Sequence, residues 1–433
     1  ILCGKVNGHG DPSEAVTSRS PNMTLPSEQQ SGSTGRDFVR RREAVLDAAT
    51  EIINGQGPDA LNLEQVAEVL NLKYQALYYY FEGKEDLACE AFLRSFRQRR
   101  AALEAVRAGE ASGLERLLAF LRAELAVSRS ERVRLSAMYA LSEETLDKLH
   151  KVRNETLDLI TELLVAGIDD GSVAPCHPST RALALEALLD RFVTLGPPGT
   201  REATTRAVLE IITQGVLMPG RRVPEPPRDN VPIETTLGYE RDLQDEEFAR
   251  FQGVLRTATI AFNLRGAAAT SIPEVARSMG VSKSVFYGYA EDKEELLYLC
   301  YQRGAMMLDI AQRMAVMRAE DPARTIVLGY AYIYRAHGSQ AGPIPVFNSL
   351  GFLSPPHRRV IGIQYRAVGR NARGVLKEGE LTGHFRPGAE VAHRVFSSLL
   401  TALPRWYTED YPLSLDEIAA ENQRFVLLGL APR

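Results

Sequence analysis

Residues 61–87 read LNLEQVAEVLNLKYQALYYYFEGKEDL, and residues 270–297 read TSIPEVARSMGVSKSVFYGYAEDKEELL. Extended backwards, Val45–Leu87 lies over Val254–Leu296 without a gap, at an offset of 209 (254 − 45) across 43 positions. Val45/Val254, Ala49/Ala258, Gly57/Gly266, Val66/Val275, Tyr78/Tyr287, Tyr80/Tyr289, Lys84/Lys293 and Leu87/Leu296 are identical pairs. Register kept over that length marks an internal duplication. A weaker correspondence is expected later in each half, where Gly171-Ser172-Val173 and Gly379-Glu380-Leu381 each precede a long apolar helix.

Each copy reads as short helices. The first covers about 40–57 and 247–266, with apolar faces such as Val45/Leu46/Ala49/Ile53 and Val254/Leu255/Ala258/Phe262. Gly57 and Gly266 end it, because glycine accepts the left-handed backbone of a helix stop. Asn62 and Ser271 can cap the next helix, and Gln65 and Glu274 stand where a capping box needs them. That helix stops at Asn71 and Gly280, and a third restarts within about two residues. Two short helices joined so tightly form a helix-turn-helix, whose later helix, about 73–79 and 283–289, is the recognition helix. Residues 71–81 and 278–290 carry one lysine each and no acid, as contact with phosphate requires. Lys84 and Lys293 stand in the first turn of a following helix, where a cation opposes the helix dipole, so both are expected to face an anion.

The Tyr-x-Tyr-Phe-x-x-Lys-Glu-x-Leu core of the first copy resembles the signature of the TetR family, and the second copy resembles it too. The resemblance covers about 50 residues per copy. It implies an all-α chain of two tandem units, each a three-helix DNA-binding domain plus a helical ligand and dimerisation domain. It also implies that Tyr74, Gln75, Tyr78 and Tyr79 face DNA, with Lys73 and Lys84 on phosphates. The second copy offers Ser282, Lys283, Ser284, Tyr287 and Lys293. Leu77 and Phe286 read as core, and Tyr80 and Tyr289 as core rather than contact. Arg36, Arg40, Arg41 and Arg42 precede the first copy, and Arg41 and Arg42 are counted with its DNA-binding face.

The copies differ. Asp245, Glu246 and Glu247 precede the second, while Gly288 and Ala290 stand where the first has Tyr79 and Phe81. Two unlike reading surfaces predict an asymmetric DNA site. The alternative is a ligand-sensing interaction protein in which only the first helix-turn-helix binds DNA.

Around these motifs the chain divides into a disordered tail at 1–35, a DNA-binding domain at 36–90 and a regulatory domain at 91–217. A Pro-rich linker at 218–244 then precedes a second DNA-binding domain at 245–299 and a second regulatory domain at 300–433. The resemblance implies dimerisation helices at 179–195, 200–217, 388–407 and 414–430. Faces such as Leu183/Ala187/Leu188 and Val395/Leu399/Leu400 would make a four-helix seam within one chain, a pseudo-dimer that can pair again with another chain. Tethering sets the effective concentration of the partner half at about millimolar. Expected pocket residues are Phe120, Met138 and Tyr139, then Tyr330, Tyr334, Phe347, Phe352 and Trp406, for a small, apolar effector.

Composition fits this reading. The 433 residues are 45% hydrophobic and 24% charged, with net charge −4, which argues against sequence-blind coating of nucleic acid but not against a local basic face. Four cysteines and seven histidines stand at no metal-ligand spacing, and there is no Gly-rich phosphate loop or nucleophile elbow. No enzyme, cofactor or metal site is therefore expected. No run of about 18 apolar residues and no signal-peptide pattern occurs, so the expected location is the cytoplasm, at the bacterial nucleoid. The first methionine is Met23, which leaves the translation start open.

Overall fold

The computed structural model of the chain describes residues 28–128, 130–192, 198–225, 227, 246–280, 288–339, 342–346 and 349–433. All regular elements among them are helices, apart from one isolated bridge between Leu217 and Phe385. Two units are distinguished, residues 1–43 and 44–433. In the first, residues 28–43 are helical, and exposed Arg40 pairs with Asp37 at 3.4 Å. The helix thus reaches into the stretch expected to be disordered, since extending a formed helix fixes one residue per new hydrogen bond. Residues 1–27 and the linker residues 228–245 lie outside the described ones.

The helices are α1 (Glu28–Gln56), α2 (Leu63–Val69), α3 (Lys84–Arg107), α4 (Gly113–Ala126), α5 (Glu143–Asp169), α6 (Pro178–Phe192) and α7 (Pro198–Gln214). The second half adds α8 (Glu246–Ala269), α9 (Ile272–Ser278), α10 (Lys293–Arg318), α11 (Pro322–Gly338), α12 (Pro355–Leu381), α13 (Ala389–Ala402) and α14 (Leu415–Leu428). α3 and α10 run unbroken through the expected domain boundaries at 90/91 and 299/300. Each helix is therefore shared by the short helices that precede it and the long helices that follow it.

The duplication extends well past the signature. Ser112 and Asp321 cap α4 and α11 at the same offset of 209. Ser142 and Ser354 cap α5 and α12 at 212, so the second half carries three extra residues in the intervening loop. The later correspondence falls in a different register from the expected one. Gly379, Glu380 and Leu381 are inside α12, and the partner of Gly379 is Gly167, in α5. Val173 donates to the Gly167 carbonyl at 2.7 Å, as Phe385 does to that of Gly379 at 2.9 Å. A Cβ on either glycine would enter the side chain packed over it, Val173 or Phe385. Gly171 and Gly383, at φ 76° and 68°, then turn the chain.

One hydrophobic core contains α4–α7 of the first half together with α11, α13 and α14 of the second. α6 and α7 pack on α13 and α14, forming the four-helix seam, with Leu188, Val395 and Leu399 buried in it. Arg181 reaches across to Glu421 at 3.1 Å with its guanidinium 4.3 Å from the Phe425 ring centre, and Arg405 pairs with Asp190 at 3.0 Å. The chain is an intramolecular pseudo-dimer.

Candidate nucleic-acid interface and effector cavity

In the first copy, the Asn62 side chain accepts from the Glu64 amide at 2.9 Å, so it caps α2 directly and the expected box with Gln65 is not formed. Asn71, at φ 52°, makes the turn. Tyr74–Tyr79 then coil as a 3₁₀ helix. Its three-residue period puts Tyr74, Leu77 and Tyr80 on one side. Leu77 is fully buried and both tyrosines lean on the same core. Lys73, Gln75, Tyr78 and Tyr79 are left outward, Tyr79 at 76% exposure. The Tyr74 and Tyr78 hydroxyls lie 2.5 Å apart and their rings meet edge to face. That bond fixes Tyr78 in the outward position. Lys84 is exposed beside this face, and its neighbour Glu85 is turned away, accepting from Ser142 N and Thr145 Oγ1 at 2.9 Å each. These hydrogen bonds, led by Ser142, outweigh partial burial and hold the Glu85 carboxyl below the usual carboxylate range. Arg41 is exposed and Arg42 half-buried, in the smaller unit.

The second copy shares the scaffold. Gly266 (φ 70°) breaks α8 and Gly280 (φ 67°) ends the α9 segment. Ser271 makes no side-chain cap bond, and Glu274 pairs instead with Arg265 at 3.1 Å, so no capping box forms here either. Tyr289 stacks on Phe251 at 5.5 Å, and Ala290 is buried where Phe81 is in the first copy. Ser282, Lys283, Ser284 and Tyr287 lie outside the described residues. Lys293 points inward: its ammonium donates to the carbonyls of Ala268 (3.1 Å) and Thr270 (3.2 Å) and sits 4.9 Å from the centre of the Phe352 ring. Neutral carbonyl oxygens within the domain take the place of the anion expected for it.

A duplicated polar clamp ties α1 to the segment at 132–134 and α8 to the segment at 344–346. Asn54 donates to Arg132 O (2.7 Å) and accepts from Arg134 N (2.8 Å). Asn263 does the same with Ile344 O (2.9 Å) and Val346 N (2.7 Å). Arg94 donates to Thr50 Oγ1 and Ser130 O, and Arg303 to Thr259 Oγ1 and the carbonyls of Gly342 and Pro343. These residues went unnoticed in the sequence, although all three pairs obey the 209 offset at polar positions. Asn54→Ala is expected to cost about 2 kcal/mol, since it strands a buried amide and carbonyl. An unchanged thermal midpoint would remove the clamp.

The second half carries a partly open cavity of about 1030 Å³ between α10, α11, α12 and α13. Its wall is apolar along Leu308, Val316, Ile333, Ile361 and Phe396 and also carries Arg313, Arg358 and Arg366, while Arg134 and Arg191 of the first half enter with Arg405 at the seam. Of the expected pocket residues, Tyr330 lines it. The other described ones are elsewhere. Phe120 is core, and Tyr334 is fully buried, accepting from Asn422 at 2.6 Å. Phe352 lies under Lys293, and Met138 and Trp406 flank a void of about 20 Å³. The Phe347 and Tyr139 side chains lie outside the described ones.

The family described as "Bacterial regulatory proteins, tetR family" matches residues 45–91 and again 254–298. The chain belongs to the TetR family. A "Tetracyclin repressor-like, C-terminal domain" matches residues 325–430, so the second TetR-like unit is matched in both its parts. Among relatives, the HTH-type transcriptional regulator RutR of Escherichia coli K12 is 26% identical over 191 residues, 43% of this chain and 89% of its own. An uncharacterized HTH-type transcriptional regulator of Bacillus subtilis, YhgD, is 22% identical over 181 residues, 40% of this chain and 94% of its own. The ketosteroid transcriptional regulator KstR2 of Mycobacterium tuberculosis has a similar structure at TM-score 0.38 and 22% identity, over 42% of this chain and 96% of its own. Each nearly complete relative spans about two-fifths of the chain, the length of one TetR-like unit.

Proposed function

We propose that the chain is a repressor that binds an operator through its helix-turn-helix units and is released by a small-molecule effector. It acts in the bacterial cytoplasm, at the nucleoid, as one pseudo-dimeric chain. The observation that carries this is the outward, acid-free face of Lys73, Gln75, Tyr78 and Tyr79 beside Lys84. Tyrosine and glutamine there can reach base edges and phosphates, and the lysines add the salt-dependent attraction to the backbone. Two readers on one face of B-DNA must stand about 34 Å apart, so an effector that alters their spacing lowers affinity. It must bind the two spacings unequally to do so.

Genomic fragments captured by the full chain, followed by titration at several salt concentrations, test this reading. One enriched upstream region is expected, and sequence-blind capture would sink it. Tyr79→Ala should weaken operator binding about tenfold, by analogy with losing one good base contact. Lys73→Ala should weaken all sequences alike and lower the salt slope by about 1. A second reading, in which the second helix-turn-helix no longer contacts DNA, draws support from the inward Lys293 and from Gly288 and Ala290. Replacing Lys283 and Tyr287 by alanine separates the two: unchanged operator affinity supports the degenerate unit. A footprint of two identical inverted half-sites would defeat the expected asymmetric operator.

A further inference from the structure

We infer that the chain has one effector site, in the second half only, and that it takes an amphipathic anion whose charged head lies against Arg191 of the first half. This rests on the effector-responsive reading above and names the ligand class.

The first argument is what fills the equivalent space in the first half. At the offset of 209, Gly329 of the cavity wall corresponds to Phe120, Leu308 to Arg99 and Ile333 to Glu124. Phe120 is fully buried, so a benzyl group stands where the second half has a hydrogen. Arg99 and Glu124 form a buried ion pair at 2.9 Å, completed by Arg132 at 2.6 Å. The wall that is apolar and open in one half is packed and salt-bridged in the other.

The second argument is charge. Arg134, Arg191, Arg373, Arg394 and Arg405 gather at the seam end, with Asp190 and Glu390 as their acids. Asp190 is engaged by Arg405 at 3.0 Å, and Glu390 lies 3.6 Å from Arg373. Arg191 forms no ion pair among the described residues. Arg191 is solvent-exposed where it meets the cavity, and Arg394, Arg134 and Arg405 are the like charges that act on it, against Asp190. His393, on the same wall, is lowered to about 4, by burial and then Arg373, and is neutral at pH 7. An incoming anion relieves this surplus, and the apolar wall takes its tail.

The third argument is connection. Arg134 puts its side chain on the cavity, while its backbone N–H is held by Asn54 in α1. A head group bound at this end therefore pulls on a residue fastened to the first reader.

Calorimetric titration of the full chain without DNA tests this, using hexadecyl phosphate, palmitate and hexadecanol below their aggregation limits. Binding of both anions at one per chain is expected, with hexadecanol at least tenfold weaker. Arg191→Gln should lower anion affinity about tenfold or more, the loss typical of one charge-assisted hydrogen bond. Gly329→Phe should abolish binding. If that variant fails to fold, Arg191→Gln still decides, because its side chain faces the cavity. Two sites per chain, equal binding of the alcohol, or indifference to Arg191→Gln would each overturn the inference. Operator binding is read separately, so a failure here is distinct from failure of the repressor reading.

Discussion

Gly215→Ala and Gly429→Ala are each expected to cost the fold about 3–5 kcal/mol, which is a large share of a typical domain's stability. α7 and α14 end against one another in a reciprocal exchange. After α7, Val216 and Leu217 donate to the Val426 and Leu427 carbonyls, at 2.9 Å each. After α14, Leu430 and Ala431 donate to the Ile212 and Thr213 carbonyls, at 2.8 and 2.9 Å. The last carbonyls of each helix, which no intrahelical amide can reach, are thus satisfied by the other half. It is the self-complementary pattern of a two-fold interface. Both glycines sit at the crossing with φ of 64° and 77°. A Cβ on Gly215 would fall on the Leu427 carbonyl, and one on Gly429 on the Thr213 carbonyl.

Alanine therefore incurs about 1–2 kcal/mol for the left-handed backbone and a further 1–3 for displacing a packed main chain. Weakened seam hydrogen bonds add about 0.5–1.5 kcal/mol each. Gly171→Ala supplies the control. Its φ is 76° but no atom lies near its Cβ, so only the backbone penalty applies. Urea unfolding should place G215A and G429A well below G171A. Equal midpoints for all three would mean that the crossing contributes nothing.

Glu124→Ala is expected to be as severe, again about 3–5 kcal/mol, because it strands two buried guanidinium groups. Arg99 Nε donates to Glu124 at 2.9 Å and Arg132 Nη2 at 2.6 Å, and all three side chains are almost wholly buried. Burial pushes the Glu124 carboxyl up, but Arg99 and Arg132 outweigh it and hold it below the usual carboxylate range. The sign follows. A depressed carboxyl stabilises the fold fully above its unfolded value of about 4.3, and that share is lost as pH falls through the lower folded value. The stability gap between wild type and E124A should therefore narrow below about pH 4. A gap that widened on acidification would reverse the assignment. Importing the second half's residues, as R99L with E124I, should cost less than E124A alone, because apolar groups of similar volume replace most of a buried ionic network at little cost.

The two glycines and the Glu124 triad also show where sequence reading succeeds and stops. Asn71 and Gly280 were legible as turns because few residue types tolerate a positive φ. Leu77 and Tyr80 were legible as core because helical periodicity survives in one dimension. The capping boxes were not formed, because Asn62 bonds one residue nearer and Glu274 finds Arg265, a partner that only the folded chain brings close. Lys293 looked like Lys84 in sequence, yet the Ala268 and Thr270 carbonyls claim it. Aromatic residues were a poor guide to the pocket: large side chains fill space, and it is the small Gly329 that leaves it. Comparing the halves beyond residue 87 would have exposed the Gly329/Phe120 and Ile333/Glu124 contrasts, which carry the cavity.

The exchange at the ends of α7 and α14 is made by main-chain atoms, and it prescribes side-chain identity only at two glycines. A joint of this kind places little restriction on the surfaces it holds together. Substitutions can accumulate on either reader without touching this joint. A homodimer must change both reading heads at once, whereas here a mutation alters one. The chain can therefore drift toward operators with no two-fold symmetry while keeping the same mechanical frame.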